Sequence, residues 1–351
     1  MRRASGIFDT SYIQDMTIFR TKYYSAGLAI LILFFFILPV FVKDFWLAFI
    51  SSTAVTVIAL QGLNILSGYC GQISIGHTAF MAVGAYSSTI LAVQFGLPVG
   101  LCMPFGGLGA ALIGLLFGLP SLRVKGYYLA LTTIAAQYFI IYLIKTPFSE
   151  ITGGAIALHV PTLKIGSFEF QTETHFYYFV IAMLLLMTFF AKSLMRGHIG
   201  RAFVAIRDND IASEAMGISL YKYKLMAFFI GCFYAGIAGS IWAAYSRVIS
   251  PDDFTFMGSI WYIGMLIIGG AGSTLGPFFG AVFISALREI CVIVGPYISS
   301  MIPQIGAQVS ASLVEMTFGI TIILFLVFEP RGLSHRWEIL KESYRLWPFS
   351  Y

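Results

Sequence analysis

The fold is decided by a stretch of 78 residues, positions 45–122, which reads FWLAFISSTAVTVIALQGLNILSGYCGQISIGHTAFMAVGAYSSTILAVQFGLPVGLCMPFGGLGAALIGLLFGLPSL. It contains no Asp, Glu, Lys or Arg. A single helix of that length would be more than about 100 Å long, whereas about 20 residues are enough to cross a bilayer. The stretch therefore predicts several consecutive membrane-spanning helices.

The composition of the whole chain agrees with a lipid environment. Of its 351 residues, 58% are hydrophobic and only 11% are charged, whereas a soluble domain carries about 25% charged residues. These values exclude a soluble enzyme, a nucleic-acid-binding protein and a disulfide scaffold. The four cysteines lie in apolar stretches without metal-binding spacing, so we expect them to be small packing residues.

Charged residues and turn residues divide the chain into predicted spans. We expect an all-α integral membrane protein with about ten transmembrane helices, between eight and eleven, some of them broken or re-entrant. The predicted spans are 26–42, 45–66, 77–93, 99–119, 127–144, 176–191, 225–246, the two parts of 254–287 on either side of a break at 269–276, and 312–328.

The positions of Lys and Arg predict the orientation. If the N-terminus is cytoplasmic, 16 of the 21 basic residues fall on the cytoplasmic side and four on the other side, as the positive-inside rule requires. We therefore expect both termini to be cytoplasmic. The predicted parts are a cytoplasmic N-terminal segment with an uncleaved anchor after it (1–25), a transmembrane domain (26–330) with an outer loop (145–175) and a cytoplasmic loop (192–224), and a cytoplasmic tail (331–351).

Two glycine-rich breaks, at 67–76 and 269–276, interrupt the apolar stretches. Non-helical backbone inside a membrane is tolerated only within protein or beside a water-filled cavity, so the breaks indicate a solute pathway; ordinary tight loops are the alternative. Nearby uncharged polar side chains suit a polar or zwitterionic solute, although they also serve as hydrogen bonds between packed helices. The predicted pathway residues are Asn64, Ser67, Gln72, Ser74, His77 and Ser273. For His77 itself, a packing role is favoured over proton transfer.

The cytoplasmic loop contains a pattern for a short amphipathic helix. Ile206, Ile211 and Met216 are spaced to share a face, and Asp208 or Asp210 is placed to cap the helix. A glycine at 217 is suited to end it. Such a helix is suited to docking a cytosolic partner, and lying on anionic lipid is the alternative. The residues predicted to couple to that partner are Arg207, Asp208, Asp210, Glu214 and Gly217.

The chain lacks the motifs of an energy-converting or hydrolytic enzyme. No GxxxxGK[ST], HExxH or GxSxG sequence is present. The few charged residues in the apolar stretches, Glu315 and the Arg288–Glu289 pair, are expected near helix ends. Ion-coupled carriers usually need acidic groups at mid-membrane depth, so we expect the energy source on another subunit. A stand-alone secondary transporter, and an integral membrane enzyme or assembly factor, are the alternatives.

Ordered segments from about residue 55 to 333 carry a family resemblance. They read GLNILSGY (62–69), GQISIGHTAF (71–80), GAY (84–86), AIRDN (205–209), AMG (215–217), KLMAF (224–228), AGIAG (235–239), GGAGS (269–273), LGP (275–277) and PRGL (330–333). Together they resemble ABC importer permeases for branched-chain amino acids, of the LivM type. The chain departs from that pattern at Cys70, where a small Ala is usual, and at 152–158, which lacks the acid that often follows the glycines.

The resemblance implies a permease subunit that forms half of a translocation pathway. It implies a second homologous permease, two cytosolic ATPases that bind ATP and Mg²⁺, and an extracytoplasmic solute-binding protein, in a bacterial or archaeal cytoplasmic membrane. The chain itself would be no enzyme and would hold no cofactor, metal or nucleic acid. Closure of the ATPases would push on the 207–217 helix and switch the pathway from outward-facing to inward-facing. Leucine, isoleucine and valine are the default solutes, with urea, short amides and other carboxylic acids as alternatives, and the permease pair is homodimeric or heterodimeric.

Overall fold

The computed structural model describes residues 22–121, 127–165, 168–170, 172–301 and 306–346, and these residues are mostly helical. The described helices are α1 (Lys22–Ile37), α2 (Asp44–Leu63), α3 (His77–Phe95), α4 (Val99–Ser121), α5 (Tyr127–Lys145), α6 (Ser149–Thr152), α7 (Glu173–Arg196), α8 (His198–Asp208), α9 (Asp210–Ala215), α10 (Leu220–Ser246), α11 (Phe256–Gly269), α12 (Gly276–Met301), α13 (Gly306–Phe328) and α14 (Leu333–Leu346). Residues 1–21, which form most of the predicted N-terminal segment, the basic residues Arg123 and Lys125 counted on the cytoplasmic side, and the last five residues of the predicted tail lie outside the described part.

Seven of these helices are long and apolar enough to cross a membrane: α2 with the turn that follows it, α3, α4, α5, α7, α10 and α12. An eighth is reached if α13 and α14, which are bent by 46° at residues 329–332, form one broken span. In the described residues α1 and α11 are shorter, with 16 and 14 residues. The expected all-α, multi-pass membrane protein is confirmed at this level, and the number ten stays a prediction.

The predicted breaks are helix boundaries in the structure. A short π-helical turn, Asn64–Tyr69, extends α2, and α3 begins at His77. We call residues 64–76, the π-helical turn and the segment that leads from it to α3, the first break. The second break, residues 270–275, lies between the end of α11 at Gly269 and the start of α12 at Gly276.

The charged residues of the last two spans are not near helix ends, and that expectation is wrong. Helix α12 continues to Met301, so Arg288 and Glu289 lie near its middle, and Glu315 lies in the interior of α13. The reason is that apolar sequence follows the charged pair at 290–295, and it continues the helix that the charges were expected to end.

Close helix packing forms the centre of the bundle. Helix α10 lies against α2, α3 and α4. Helix α4 presents small residues to it at every fourth position, namely Gly106, Ala110, Gly114 and Gly118. A Cβ atom added at Gly236 of α10 would lie 2.6 Å from the Ala110 Cβ. Such small residues let helix backbones approach closely, which replaces the hydrophobic driving force that helices lack in lipid.

The 145–175 loop lies at the opposite end of α10 from the 192–224 loop, because the 192–224 loop leads into the start of α10 and the strand Val248–Ile249 just after its end pairs with Leu158–His159. In the loop, β1 (Leu158–His159) pairs antiparallel with β4 (Val248–Ile249), and β2 (Lys164–Ile165) pairs with β3 (Phe168–Glu169). Lys145 and Asp252 form a 2.6 Å ion pair at the same end. These contacts attach the loop to the helices on either side of it.

Candidate functional site

The two breaks lie against each other, although about 200 residues separate them. The side chain of Asn64 joins them, because its Oδ1 accepts a 2.8 Å hydrogen bond from the Gly272 amide and its Nδ2 donates at 2.8 Å to the Ser273 carbonyl. Asn64 is buried. Two of the predicted pathway residues, Asn64 and Ser273, are thus in direct contact.

The first break satisfies part of its backbone with its own side chains. The Ser67 hydroxyl donates to the Gln72 carbonyl at 2.9 Å and accepts from the Ser74 amide at 3.4 Å. In contrast, Gln72 Oε1 and Ser74 Oγ are buried and have no hydrogen-bond partner among the described residues. Buried polar atoms of this kind need an explanation, and a water or a polar solute is one that would satisfy them.

The second break is capped at the start of α12. Ser273 Oγ accepts from the Gly276 amide at 2.8 Å and donates to the Gly270 carbonyl at 3.1 Å. Gly270 packs closely against Arg331 and Ser334, which follow the last predicted span. The second break is therefore held from three sides: by Asn64, by its own serine and by the C-terminal turn.

Helix α3 begins inside the bundle, and its first amides are bonded to side chains of other helices. The Thr78 amide donates to Ser259 Oγ of α11 at 3.1 Å, and the Ala79 amide donates to Gln137 Oε1 of α5 at 2.9 Å. Gln137 Nε2 donates to the Phe254 carbonyl at 2.8 Å. Helix ends leave such groups without intrahelical partners, so this network allows α3 to start away from water.

His77, the first residue of α3, is almost fully buried. Its Nε2 donates to the Ala59 carbonyl of α2 at 2.9 Å, and its ring lies edge-on to Tyr262, with centroids 5.8 Å apart. This bond to a carbonyl places the proton on Nε2. The geometry is that of a hydrogen bond between packed helices.

The 192–224 loop contains two helices, α8 and α9, rather than one. Asn209 separates them and caps α9, because its Oδ1 accepts from the Ala212 amide at 3.0 Å. The expectation that Asp208 or Asp210 provides the cap is therefore wrong, since both are already helical residues of α8 and α9. Asp210 instead lies 3.9 Å from Lys224.

The three apolar residues of the loop do not share a face. Ile206 packs into the bundle and is 4% exposed, whereas Ile211 is 73% exposed and Met216 is 85% exposed. The physical reason is the separation at Asn209, which rotates α9 relative to α8. Glu214 is also exposed, and Gly217 follows α9 with a φ of 85°. Residues 211–217 thus form an exposed knob with an apolar tip, which we call the α9 knob.

Arg207 lies apart from the α9 knob and contacts both breaks. Its Nη1 donates to the Gly68 carbonyl at 3.1 Å, and its Nε donates to Asp208 Oδ1 at 3.0 Å. A Cβ atom added at Gly272 would lie 2.6 Å from Nη1, and one added at Gly71 would lie 3.0 Å from the Arg207 Cγ. The loop, the first break and the second break therefore meet at one guanidinium group.

A small cleft opens beside this meeting point. It is lined by Gln61, Asn64, Ile65, Tyr69, Ala191, Met195, Thr274 and Pro277, and it has space for about one water molecule. Gln61 Nε2 donates to Thr188 Oγ1 at 2.6 Å, while its Oε1 has no partner among the described residues. The cleft is lined by both polar and apolar side chains and is too small for an amino acid.

The described residues hold no group of three or more His, Cys, Asp or Glu side chains placed to bind a metal ion. Cys70, Cys102, Cys232 and Cys291 are free thiols and are buried.

The structure thus brings together most of the residues that the sequence singled out. Asn64, Ser67, Gln72 and Ser273 belong to the breaks, Ser74 and His77 lie where the first break enters α3, and Arg207 joins the group from the loop. Sequence reasoning missed Gln137 and Ser259. The signal that was available is an amide in the middle of an otherwise apolar span, which is costly unless it is bonded.

Known proteins similar to this chain are transport permeases. The family model described as "Branched-chain amino acid transport system / permease component" matches residues 45–326. The high-affinity branched-chain amino acid transport system permease protein LivM of Salmonella typhimurium is 30% identical over 80% of this chain and 68% of that protein. The autoinducer 2 import system permease protein LsrC of Enterobacter sp. strain 638 is 25% identical over 79% of this chain and 81% of that protein. The permease protein LivH of Escherichia coli K12, named for the same kind of system, is 22% identical over 80% of this chain and 91% of that protein.

Proposed function

Since the chain belongs to the family of branched-chain amino acid transport permease components, we propose that it is the permease subunit of an ATP-driven ABC importer. The observation that carries this proposal is the family match over residues 45–326, which includes both breaks and the loop between α7 and α10. The solute is a branched-chain amino acid or a related small polar molecule. The chain is a transporter subunit rather than an enzyme.

The energy comes from two cytosolic ATPase subunits, which bind ATP and Mg²⁺. Two features of this chain support that division of labour: its sequence has no phosphate-binding loop, and the α9 knob presents an exposed apolar tip at Ile211 and Met216. An apolar tip with a charged rim is the kind of surface that fits a hydrophobic cleft on a partner. Glu214 and Gly217 flank the tip, and Asp208 and Asp210 provide the charge.

A second, homologous permease completes the pathway, and an extracytoplasmic binding protein delivers the solute. The similarity of this chain to both LivM and LivH supports the pairing, because those relatives are two different permease proteins named for branched-chain amino acid transport. The 145–175 loop, at the end of α10 opposite the α9 knob, is the surface for the binding protein.

The number of membrane crossings and the side on which each terminus lies are also proposed. With α1, α11 and α13 counted as spans, the chain crosses a bacterial or archaeal cytoplasmic membrane ten times, and residues 1–25 and 331–351 are cytoplasmic. The distribution of basic residues supports this orientation. Within the bundle, the pathway follows Asn64, Ser67, Gln72, Ser74, His77 and Ser273. The unpartnered oxygens of Gln72 and Ser74 support that route.

Reconstitution tests the proposal. The chain is purified with its second permease and the ATPases, and the complex is placed in liposomes. The binding protein is added on the extracytoplasmic side of the complex and ATP on the side of the ATPases, with labelled leucine, isoleucine or valine as the solute. We expect uptake that needs ATP, Mg²⁺ and every subunit. Uptake by the chain alone, driven by a proton or sodium gradient, would instead establish a secondary transporter and overturn the proposal. Calorimetry on the binding protein then identifies the solute, because that protein supplies most of the selection.

A further inference from the structure

We propose that Arg207 is a positioning residue that ties the loop between α7 and α10 to both breaks, so that a displacement of the loop moves the two breaks together. The inference rests on the proposed function, in which an ATPase displaces the loop. It changes the role of Arg207 from a residue that docks the ATPase to one that acts inward, on the backbone of the permease.

Helix α8 is attached firmly enough to transmit a displacement. Phe203 is fully buried and Ile206 nearly so, and the Phe203 ring packs edge-on against Tyr223 of α10. Gly200 packs closely on the backbone of Met195 at the end of α7. Because protein interiors are close-packed, a helix held in this way moves as a body and passes strain to its neighbours. Arg207 is in the last turn of that helix.

The guanidinium group reaches the first break through a hydrogen bond at the end of the π-helical turn. Nη1 donates to the Gly68 carbonyl at 3.1 Å, and Asp208 Oδ1 holds the other side of the group, 3.0 Å from both Nε and Nη2. A planar guanidinium fixed at two edges has little freedom to turn. The position of Gly68 is therefore tied to that of α8.

The backbone of both breaks is shaped around this side chain. Gly71 and Gly272 have φ values of 73° and 80°, a region that residues with a Cβ atom rarely adopt. At both positions a Cβ atom would also crowd Arg207: on Nη1 at Gly272, and on Cγ at Gly71. Two left-handed glycines from distant parts of the chain thus leave room for the same side chain.

The contact with the second break is reinforced by Asn64, whose two hydrogen bonds to Gly272 and Ser273 hold it against the π-helical turn. A movement at Arg207 therefore reaches the connection between α2 and α3 through Gly68, and the connection between α11 and α12 through Gly272. Arg201, on the same helix, makes no such contact with the described part of either break; its guanidinium group donates a long hydrogen bond of 3.5 Å to the Arg196 carbonyl.

The test is the ratio of solute imported to ATP hydrolysed, measured in the reconstituted complex with labelled leucine. For Arg207→Ala we expect this ratio to fall at least tenfold. Arg207→Lys should recover part of it, because an ammonium group still donates to the Gly68 carbonyl but lacks the fork that Asp208 holds. Arg201→Ala, which removes the same charge from the same helix, should keep the wild-type ratio. A merely structural defect would lower the yield of complex and would reduce uptake and hydrolysis together, leaving the ratio unchanged.

A second measurement separates the two roles of Arg207. If Arg207 acts on the two breaks rather than on the ATPases, the tagged chain with Arg207→Ala should still co-purify with the ATPase subunits. Loss of those subunits would make Arg207 a docking residue and would overturn the inference, as would an unchanged ratio. If the wild-type complex shows no ATP-driven uptake, the proposed function fails instead, so that the two failures are distinguishable.

Discussion

Asn64 and Gly272 are 208 residues apart in the sequence, and the Gly272 amide donates a 2.8 Å hydrogen bond to Asn64 Oδ1. The other end of the same amide group donates to the next carbonyl, that of Ser273. Among short side chains, only an amide offers an acceptor and a donor a few ångströms apart. One residue of the π-helical turn thus fixes the backbone in the middle of the second break.

Asn64→Ala should destabilise the protein strongly. It leaves the Gly272 amide and the Ser273 carbonyl without their partner, and an unsatisfied buried group costs about 1–3 kcal/mol. We expect a loss of about 2–5 kcal/mol, seen as a lower apparent melting temperature of the detergent-purified chain. Ser52→Ala in the preceding helix, α2, is the control, because Ser52 is exposed. Equal melting temperatures for the two variants would show that the Asn64 bonds do not hold the breaks together.

Gln137→Leu should also be destabilising, by about 2–4 kcal/mol. The substitution keeps the approximate size of the side chain but leaves the Ala79 amide and the Phe254 carbonyl unpaired. Limited proteolysis and thermal unfolding of the purified chain measure the effect. The neighbouring Tyr138→Phe is the control, since Tyr138 is 61% exposed. A Gln137→Leu variant as stable as Tyr138→Phe would contradict the role of the network at the start of α3.

Gly236→Ala should force α10 and α4 apart. The new methyl group would lie 2.6 Å from the Ala110 Cβ and 2.9 Å from the Gly106 carbonyl oxygen, and overpacking of this kind costs about 1–3 kcal/mol. Gly319→Ala in α13 is a matched control, because, apart from the neighbouring backbone of α13 itself, no atom lies within 4 Å of the added carbon. A glycine in a helix costs about 0.5–1 kcal/mol relative to alanine, so the control should gain stability where Gly236→Ala loses it. The melting temperatures of the two variants should therefore move in opposite directions.

Met216→Asp should weaken binding of the ATPase subunits without affecting the fold. Met216 is 85% exposed at the tip of the α9 knob, so the charge meets water in the free chain and an apolar surface in the complex. A buried unpaired charge is costly, and we expect at least a tenfold loss of affinity. Co-purification with the tagged chain measures it. Leu340→Asp, an equivalent change at an exposed residue of α14, should retain the ATPases; their retention by Met216→Asp as well would move the docking surface elsewhere.

Glu214→Arg and Gly217→Arg address the transmission of movement rather than binding alone. Both residues are exposed beside the apolar tip, and Gly217 has a left-handed φ of 85° that an arginine adopts only at a cost of about 1–2 kcal/mol. We expect ATP hydrolysis without proportionate uptake, with the chain still present in the membrane at normal amounts. Normal transport by both variants would count against the role of the α9 knob.

The sequence was sufficient for features that depend on neighbours in the chain. The start of α3 at His77, the start of α4 at Val99, the end of α10 at Ser246 and the break before Gly276 all lie where glycines or charges interrupt apolar runs. The presence of several spans followed from the absence of charge over positions 45–122 alone. Hydrophobicity is a sum over local residues, so spans can be predicted from it without knowledge of how the helices pack.

The sequence predictions that were wrong or missing depend on competition between neighbouring residues, or on contacts between distant parts of the chain. Asn209, rather than an aspartate, caps α9 because α8 extends through Asp208 before the chain turns. The inward direction of Arg207 depends on Gly68 and Gly272, which no spacing rule connects to it. The same holds for Gln137, whose partners are supplied by α3 and by the residues before α11. Tertiary hydrogen bonds of this kind are not visible in periodicity.

The start of α3 has a consequence for the order in which the protein is made. The amide of Thr78 has no Ser259 hydroxyl to bond until residue 259 has been synthesised. At about 5–20 residues per second, the ribosome needs roughly 10–35 s to make the chain between these two residues. Until α11 has been made, the first turn of α3 therefore lacks part of the cap that it has in the finished fold. A chain truncated before α11 would therefore keep the first turn of α3 without the hydroxyl of Ser259.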